Sequence, residues 1–561
     1  MTVFGVILVV VGALVTMDAL SIRSDLHTLK SAATNFRSSK NLSDAKHFLT
    51  PAEPAINDIS TRTAHLWIRP ALWVFLGIKG ANSTVSALHE LSFAFPNISS
   101  GAQALAASSR QGFAMIDLPH VALAERDLAL AEPHLLLASQ DLQKVKVRLL
   151  PSALSKRIQN FISVSADSSN LLPAIQILQN SLGASHAMRW LVVAQNSAES
   201  RGTGGIVGAY AIVTATNGRT SVERVGSNTQ LHSLDAPPIN LGSDFNILYG
   251  TDPGIWQNAN LSPDFPSGAQ IMAALWQKQS GEQVDGVIAV DPFVLAAILK
   301  ATGPIHPQGG VEVNSANVVA ESLSLAYQRF AKQTDRKLYL ASLFRETLKK
   351  MLAGGTSPVS LALALRDPLG EKRILVWSRD NGLENELRRQ GVAGDLASDG
   401  PNTYRVVVAN SAGNKMDYYL DRQVDLQVNS CTPQRKVRIK ASFLLNVPRN
   451  ERLVDYVAGR LDLGKPTSQG GSSSLRLSFY APKGSSLDQI FVDGQSIGAL
   501  EGAEKGHDVV TIPLELSPRK TSVVEVDFVG PASYGLPEVL TQPLVRPQFT
   551  NVSRGCSRFA D

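Results

Sequence analysis

The sequence WLVVAQNSAESRGTGGIVGAYAIVTATNGR, residues 190–219, decides the fold of this chain. Its first six residues are the apolar, β-branched run of a buried strand, and IVGAYAIVTA (206–215) is a second such run. Asn217 and Gly218 then supply the two positive-φ positions of a type I′ hairpin turn. The polar stretch 196–205 is therefore predicted to be a loop between two neighbouring strands.

This loop combines an amide, a carboxylate, a guanidinium and three glycines. Glycines allow backbone N–H groups to approach a ligand, and a guanidinium is a planar fork that matches phosphate or carboxylate. The structural alternative is that the amide caps the turn, the carboxylate pairs with the guanidinium, and the glycines only permit a tight bend. A strand follows the loop where a dinucleotide fingerprint would have a helix. The ligand-binding candidates here are Asn196, Glu199, Arg201, Gly204 and Gly205.

Farther along the chain, the strand GVIAV (286–290) runs into Asp291 and Pro292, which are typical of a helix N-cap and first helical position. Strands continue to alternate with helical patterns, which indicates an α/β layer domain. After about residue 414 the pattern changes to alternating runs separated by Gly, Pro and Ser turns. Such runs are typical of an antiparallel β-sandwich.

The N-terminal stretch 2–22, TVFGVILVVVGALVTMDALSI, is long and apolar enough to cross a bilayer. We interpret it as a retained membrane anchor, and a cleaved signal peptide is the alternative. The first basic residue, Arg23, follows the span. The positive-inside rule therefore disfavours an extracytoplasmic location for the rest of the chain. Long domains, however, translocate largely regardless of flanking charge. The expected location is the cell membrane, with a single pass and the bulk of the chain extracytoplasmic.

The predicted fold class is therefore multi-domain α+β: an N-terminal transmembrane helix and helical segment, a central α/β layer domain, and a C-terminal antiparallel β-sandwich. The predicted domains are the anchor (1–23), a helical membrane-proximal region (24–187), the α/β domain (188–413), the β-sandwich (414–530) and a tail (531–561).

The helical region contains a stripe of apolar residues at steps of three and four. Such a stripe packs within a local helical bundle or forms the seam of a coiled-coil dimer. Its members are Leu128, Ala131, Leu135, Ala138, Leu142, Val145 and Leu149.

Composition excludes several classes of protein. Lys and Arg number 53 against 48 Asp and Glu, so a nucleic-acid partner has no support from charge. Two cysteines, Cys431 and Cys556, exclude a cysteine-rich zinc or disulfide scaffold. They form one bridge outside the cytosol or remain free thiols. String matches to a nucleophile elbow (494–498) and a P-loop (459–465) lack the required context, since Pro466 replaces the magnesium-binding hydroxyl of the latter.

The strand–QNSAESRGTGG–strand–NG pattern resembles the signature of domain-of-unknown-function family 4012 (DUF4012), a group of bacterial membrane-anchored envelope proteins. Three further stretches look like the same family: WQNANLSPDFPSGAQ (256–270), VDGVIAVDPFVLAAILKATGPI (284–305) and NKMDYYLDRQV (414–424). The pair Arg336–Lys337 is also similar. This resemblance implies an envelope protein of unassigned activity.

Residues 285–305 also resemble the LytR-CpsA-Psr envelope proteins, which transfer glycopolymers from polyprenyl-pyrophosphate carriers to the cell wall. That resemblance implies that Arg201 and Arg336 hold pyrophosphate and that Glu199 and Asp264 bind Mg²⁺. The family's arginine–aspartate element after the third strand is missing, because this chain has RVGSN (224–228) there.

The remaining candidates have structural alternatives. Asn258, Asn260 and Asp264 lie in a Pro-containing stretch that is predicted to be a loop, and that loop faces either a substrate or solvent. Arg336 is a ligand-binding cation or a solvated surface charge.

Three functions follow from these patterns. The first is an anchored envelope protein whose outside domain binds a surface glycopolymer or polyprenyl-linked lipid, or assists polymer assembly. The second is a Mg²⁺-dependent phosphotransferase that acts on lipid-linked glycans. The third is a structural or adhesive envelope component without catalysis.

Overall fold

The computed structural model of the chain describes Thr28 and residues 52–63, 69–108, 113–145, 171–353, 358–429, 435–451, 453–464, 471–530 and 536–555. The chain divides into two compact units. The first contains Met1–Ala187, Ala215–Thr220 and Leu352–Leu363, and the second contains Met188–Thr214, Ser221–Met351 and Ala364–Asp561.

The first unit is helical. Polar contacts join its two long helices: Ser100 Oγ donates to Asp127 Oδ2 at 2.5 Å, and His134 Nδ1 lies 2.7 Å from Glu90 Oε2. Ala131, Ala138 and Leu142 of the predicted stripe are fully buried, so these positions pack inside the helical unit as the bundle interpretation predicts. The helices are α1 (Ala52–Thr63), α2 (Arg69–Ser108), α3 (Leu118–Gln143) and α4 (Leu171–Ser181).

A five-stranded sheet with the order β3-β2-β1-β4-β5 begins the second unit. β1 pairs with β4 in parallel, while β4 pairs with β5 antiparallel. The turn between β2 and β3 has φ of 49° at Asn217 and 80° at Gly218, which confirms the predicted positive-φ pair. The strands are β1 (Met188–Arg201), β2 (Gly204–Thr216), β3 (Arg219–Ser227), β4 (Gly286–Val290) and β5 (Leu375–Ser378).

Helices connect and cover these strands, and their ends follow local sequence signals. Asp291 caps a helix by accepting hydrogen bonds from the backbone N–H groups of Phe293 and Val294, as the sequence predicts. Gly281 ends another helix in the left-handed conformation at φ 75°. The helices are α5 (Ser243–Tyr249), α6 (Phe265–Ser280), α7 (Pro292–Thr302), α8 (Val318–Ala320), α9 (Ala326–Arg329), α10 (Gln333–Leu352), α11 (Pro358–Gly370), α12 (Asn381–Arg389) and α13 (Asp455–Ala458).

A π-helical turn, Glu321–Leu325, separates α8 from α9. Such turns are rare, and they frequently occur at functional sites. Short 3-10 turns occupy Asn228–Gln230, Asp252–Gly254, Trp256–Asn258, Leu396–Ser398, Met416–Tyr419 and Leu461–Leu463.

Two further sheets complete the second unit. One has the order β11-β10-β14-β8-β7-β16 and the other β12-β13-β9-β6-β15. Their strands are β6 (Thr403–Asn410), β7 (Leu420–Asn429), β8 (Arg435–Leu445), β9 (Ser473–Pro482), β10 (Ser486–Val492), β11 (Gln495–Ser496), β12 (Leu500–Glu504), β13 (His507–Leu516), β14 (Thr521–Gly530), β15 (Glu538–Leu540) and β16 (Gln548–Gly555).

The two sheets share one apolar core because side chains alternate along each strand and the inward-facing ones meet. Phe479 and Ile512 from one sheet, and Phe443 and Val526 from the other, are at most 1% exposed. This packing holds β6, which leads directly to the site described below.

The predicted fold class is wrong in two respects. Neither of these sheets is purely antiparallel, because β15 pairs with β6 in parallel and β16 pairs with β7 in parallel. Among the described residues, no helix is both long and apolar enough to cross a membrane. The corrected class is mixed α/β with three mixed sheets and no N-terminal transmembrane helix in the described part of the chain.

Two predictions fall on residues outside this description. The apolar stretch 2–22 is one of them. The bridge between Cys431 and Cys556 is the other, since both cysteines lie outside the described residues.

Candidate functional site

The predicted ligand loop is almost entirely strand. β1 extends to Arg201 and β2 begins at Gly204, so only residues 202–203 form the turn. Glu199 is 8% exposed and Arg201 is 5% exposed. Buried charges are stable only when they are paired or hydrogen-bonded, so these side chains need partners inside the protein.

Glu199 is the centre of a buried ion cluster. Its Oε1 accepts a hydrogen bond from Arg201 Nη2 at 3.3 Å, as the structural alternative predicts, and its Oε2 accepts one from Lys415 Nζ. Burial opposes ionisation of Glu199, but the charges of Lys415 and Arg201 outweigh it and hold its pKa below the ordinary value. Burial likewise disfavours the Lys415 ammonium, yet Glu199 raises the pKa of Lys415 above its ordinary value. Both groups are therefore charged at neutral pH.

The guanidinium of Arg201 donates its hydrogen bonds to acceptors within the protein. Nη1 donates to the carbonyl oxygens of Ser200 at 2.7 Å and Asn410 at 3.1 Å. Nε donates to the Gln257 carbonyl at 2.9 Å and to Asn258 Oδ1 at 3.0 Å. Because every guanidinium nitrogen already donates to a protein acceptor, Arg201 fastens strands and loops together and offers no open fork to a phosphate.

A second carboxylate, Asp417, lies on the other side of Ser200. Its Oδ2 accepts from Ser200 N at 2.8 Å and Ser200 Oγ at 2.6 Å, and its Oδ1 accepts from Asn410 Nδ2 at 3.0 Å. Burial raises the pKa of Asp417, although these hydrogen bonds oppose the shift. The NKMDYY segment thus docks on the end of β1 through Lys415 and Asp417.

The loop glycines are explained by close backbone approach. A Cβ added to Gly202 would lie 2.3 Å from the Leu261 carbonyl oxygen, and one added to Gly205 would lie 2.2 Å from the Asn196 carbonyl. Gly204 has φ of 138°, and an added Cβ would lie 2.5 Å from the side chain of Gln195. These positions require glycine for packing, whether or not a ligand binds.

Replacing Gly205 by alanine is therefore expected to lower the free energy of unfolding by about 1–3 kcal/mol, because backbone must shift to admit the methyl group. Gly208 on the same strand is the matched control, since its added Cβ would lie 3.5 Å from the Ala194 carbonyl oxygen, an ordinary contact. Urea unfolding of both variants tests this. Equal stability losses would contradict the close-approach explanation.

Asn260 and Asp264 lie near the loop but are used structurally. Asn260 Nδ2 donates to Thr203 Oγ1 at 2.8 Å and to the Gly205 carbonyl at 3.0 Å. Asp264 caps α6: its Oδ2 accepts from Ser267 N and Oγ at 3.2 and 2.6 Å. Its Oδ1 accepts from Leu396 N at 2.9 Å.

The Mg²⁺ site implied by the second resemblance does not fit this geometry. Both oxygens of Glu199 are bound to cations, and both oxygens of Asp264 accept protein hydrogen bonds. Within the described ranges, no three His, Cys, Asp or Glu side chains converge as a metal site would require.

Arg336 is buried, which excludes the surface-charge alternative. Only 2% of the residue is exposed on α10. Its guanidinium carbon lies 3.8 Å from the ring centroid of Tyr456 and 5.3 Å from that of Tyr327, and Nη1 donates to the Phe330 carbonyl at 3.0 Å. Arg336 therefore orders the ring of Tyr327, which borders the cavity described next, and the ring of Tyr456 beside it.

A cavity of about 50 Å³ lies among β1, β2, α7 and α10. Asn196 faces it, with Oδ1 capping the backbone N–H of Ala198 at 3.1 Å and Nδ2 donating to Tyr327 Oη at 2.6 Å. The polar lining groups are Asn196, Ser322, Tyr327, Lys337 and Lys415, and the large apolar ones are Ile206, Pro292, Leu295, Leu340, Leu343 and Phe344.

Positive charge exceeds negative charge at this cavity. Burial, together with the charges of Lys415 and Arg336, lowers the pKa of Lys337 to about 8, although Glu199 opposes the shift. The Lys337 ammonium donates to Asn228 Oδ1 at 2.6 Å, a neutral acceptor. An anion in the cavity would stabilise this cation.

The structure thus divides the predicted site residues into two groups. Asn196 and Arg336 both contact Tyr327 at the cavity. The other predicted residues support the loop and the ion cluster: Glu199, Arg201, Gly204, Gly205, Asn258, Asn260 and Asp264.

Our sequence-based site omitted Lys337, Lys415, Ser322 and Tyr327, which complete the polar wall of the cavity. Lys337 and Lys415 do occur in two of the motifs that resemble the family, and this resemblance was the only sequence signal for them. Ser322 and Tyr327 belong to an ordinary amphipathic stretch, so their position could not be read from the sequence.

Comparison with known proteins agrees with the motif resemblance. Residues 186–327, which include β1, β2 and the π-helical turn, match the family described as protein of unknown function (DUF4012). No curated protein matches the chain. The similarity of this protein to the DUF4012 family therefore covers residues 186–327.

Proposed function

We propose that the second unit binds a phosphorylated lipid carrier of the kind on which cell-surface polymers are assembled. The observation that carries the proposal is one cavity with two lysines in its lining and apolar walls around them. A ligand that matches both features has an anionic head and an apolar tail. The resemblance of residues 285–305 to proteins that handle polyprenyl-linked intermediates supports the same ligand class.

The polar wall suits a phosphate head. Lys337 is held by the neutral Asn228, so its charge is not cancelled by a carboxylate partner. Asn196 and Tyr327 add hydrogen-bonding groups that their mutual 2.6 Å contact already orients. Hydrogen bonds between a phosphate and a desolvated ammonium are stronger than those between neutral groups.

The apolar wall suits the first carbons of an isoprenoid tail, since the open space of about 50 Å³ is too small for more of the chain. Leu343 and Phe344 of α10 are each 1% exposed, and Leu295 of α7 is 4% exposed, so these side chains are held rigidly by packing. Each CH₂ group buried against such a wall contributes about 0.8 kcal/mol. Affinity should therefore increase from inorganic phosphate to a phosphate with an isoprenoid chain.

Binding is proposed without group transfer. The two carboxylates that would serve a transferase, Glu199 and Asp264, are saturated by protein partners. The described part of the chain therefore supports a role in holding or presenting the carrier.

Calorimetric titration of the full chain with farnesyl phosphate tests the proposal. We expect saturable binding that is at least about tenfold tighter than that of inorganic phosphate, because only the lipid contacts the apolar wall. Lys337→Met should weaken farnesyl phosphate binding at least about tenfold, since a hydrogen bond to a charged group contributes about 1.5–3 kcal/mol.

Lys350→Met is the matched control, because Lys350 lies on the same helix but is exposed. It should leave the dissociation constant unchanged within about twofold. Absence of farnesyl phosphate binding, or an equal loss of affinity in both lysine variants, would refute the carrier assignment.

A further inference from the structure

We propose that a second site, separate from the carrier cavity, binds an uncharged oligosaccharide. This site is a groove of about 720 Å³ within the second unit, and it shares no lining residue with the carrier cavity. Its volume is typical of ligand sites and gives room for roughly 50–70 waters, at about 10–15 Å³ each. The inference goes beyond the proposed function, because the groove requires neither Lys337 nor a phosphate.

The groove lies between two layers of the unit. One wall is the outer face of the β12-β13-β9-β6-β15 sheet. Leu475 and Leu477 of β9 are fully buried in the core of the two sheets, so the alternate residues Ser474 and Arg476 point to the opposite face and line the groove. The other wall comes from residues between 252 and 261, which precede α6.

Ser474 supplies a hydroxyl that the protein does not use. Only 6% of the residue is exposed. Its Oγ has no hydrogen-bond partner among the described residues, and it is not one of the unpaired polar atoms that solvent cannot reach. A polar group on a buried residue is costly unless water or a ligand satisfies it. This hydroxyl is therefore available to a ligand in the groove.

Asn258 contributes an amide from the opposite wall. Its Oδ1 accepts from Arg201 Nε at 3.0 Å, which orients the amide and leaves Nδ2 without a partner among the described residues. Arg201 itself adds no free cation, because Glu199 balances its charge. The two walls thus offer an amide donor and a hydroxyl that can both donate and accept.

The charges in the groove disfavour a charged ligand. Arg476 Nη2 donates to the Leu248 carbonyl and the guanidinium carbon lies 5.4 Å from the ring centroid of Tyr249, but no described carboxylate pairs with this cation. Asp252 on the other wall has no cation partner in the described part of the chain. An anion would be repelled by Asp252, and a cation would be repelled by Arg476. Neutral hydroxyls can accept from the guanidinium and donate to the carboxylate.

Apolar side chains complete the walls. Leu500 of β12 is 42% exposed, and Pro513 of β13 lies opposite Arg476 in the strand pair. A pyranose ring has C–H faces bordered by hydroxyls, so it can contact apolar and polar groups of such a groove together. A purely apolar ligand would instead bury the polar groups without hydrogen bonds. An uncharged oligosaccharide therefore matches the size, polarity and charge of the groove.

Calorimetric titration of the full chain with cellotetraose, maltotetraose and chitotetraose tests this inference. We expect saturable binding of at least one of the three. Ser474→Ala should weaken that binding about three- to tenfold, the loss expected for one neutral hydrogen bond. Its urea unfolding midpoint should not fall, because the hydroxyl has no protein partner to lose.

Ser522→Ala is the matched control. Ser522 is similarly buried, at 5% exposed, but it lies on β14 of the other sheet and does not line the groove. It should leave the dissociation constant of the oligosaccharide unchanged within about twofold. Equal losses of affinity in the two serine variants would show that the oligosaccharide does not contact Ser474.

An acidic sugar tests the charge argument. Tetragalacturonate should bind the unsubstituted chain at least about tenfold more weakly than the neutral ligand, because Asp252 repels its carboxylates. Asp252→Asn should reduce that difference at least about threefold, since Arg476 then has no opposing charge. Tetragalacturonate binding as tight as that of the neutral ligand would overturn the uncharged ligand class.

The outcomes separate this inference from the proposed function. If none of the three neutral oligosaccharides binds while farnesyl phosphate does, this inference fails and carrier binding stands. Lys337→Met should leave oligosaccharide affinity unchanged within about twofold. If that variant loses oligosaccharide and farnesyl phosphate binding together, the groove is not a separate site.

Discussion

Replacement of Lys415 by methionine is expected to lower the free energy of unfolding by about 3–5 kcal/mol, because it leaves Glu199 buried without its nearest cation. The Lys415 and Glu199 side chains are only 4% and 10% exposed, so water cannot replace the lost partner. Arg201 remains, but its Nη2 lies 3.3 Å away and Arg201 already serves four other acceptors.

The exposed pair Lys440–Glu525 provides the matched control for this measurement. Its side chains are 50% and 34% exposed and lie 3.1 Å apart. Lys440→Met should cost no more than about 1 kcal/mol, since solvent screens such pairs. The double variant Glu199→Gln/Lys415→Met should recover part of the loss. Similar costs for both single variants in urea unfolding would show that burial of the cluster does not matter.

Affinity for farnesyl phosphate is expected to fall about 100-fold between pH 7 and pH 10. The pKa of Lys337 is lowered to about 8 by burial and by neighbouring cations, so the free site loses its ammonium above that pH. The ligand binds the protonated form, and linkage then reduces affinity about tenfold per pH unit above the pKa. Calorimetry across this range measures the slope.

The stability of the free protein should show the opposite trend for the same group. Lys337 has a lower pKa in the folded chain than its ordinary value of 10.5, so the unfolded chain binds more protons between about pH 8 and 10.5. Its contribution to the free energy of unfolding therefore rises with pH in that window. Lys337→Met should remove both trends. A pH-independent dissociation constant in the unsubstituted protein would show that Lys337 does not contact the ligand.

Several local features of the fold could be predicted because they depend on neighbours in sequence. The turn at Asn217 and Gly218 and the cap at Asp291 follow from backbone conformation and short-range hydrogen bonds. Strands β2 and β4 and the first half of β1 follow from apolar runs, whereas residues 196–201, predicted as a loop, extend β1. Parallel addition of β15 and β16 was not predictable, since it depends on which sheet edge remains open after the rest has packed.

The candidate site was harder to predict for the same reason. Glu199 and Arg201 were recognised as a charged pair in one loop, but Lys415 lies 216 positions after Glu199 in the chain. The contact of Lys415 with Glu199 makes the predicted ligand loop part of a buried ion cluster. Lys337 becomes a binding candidate only because α10 meets β1 and β2 at one cavity.

The sequence by itself determined the turn at Asn217 and Gly218, the alternation of strands and helices, and the similarity of residues 186–327 to one family. These properties depend on side-chain periodicity and on turn chemistry over a few residues. Only the tertiary structure decided which charges are neutralised and which remain available. That outcome depends on contacts between distant segments. A carboxylate such as Glu199 that pairs with a buried lysine has a structural role, whereas a lysine such as Lys337 without a carboxylate partner can still bind an anion.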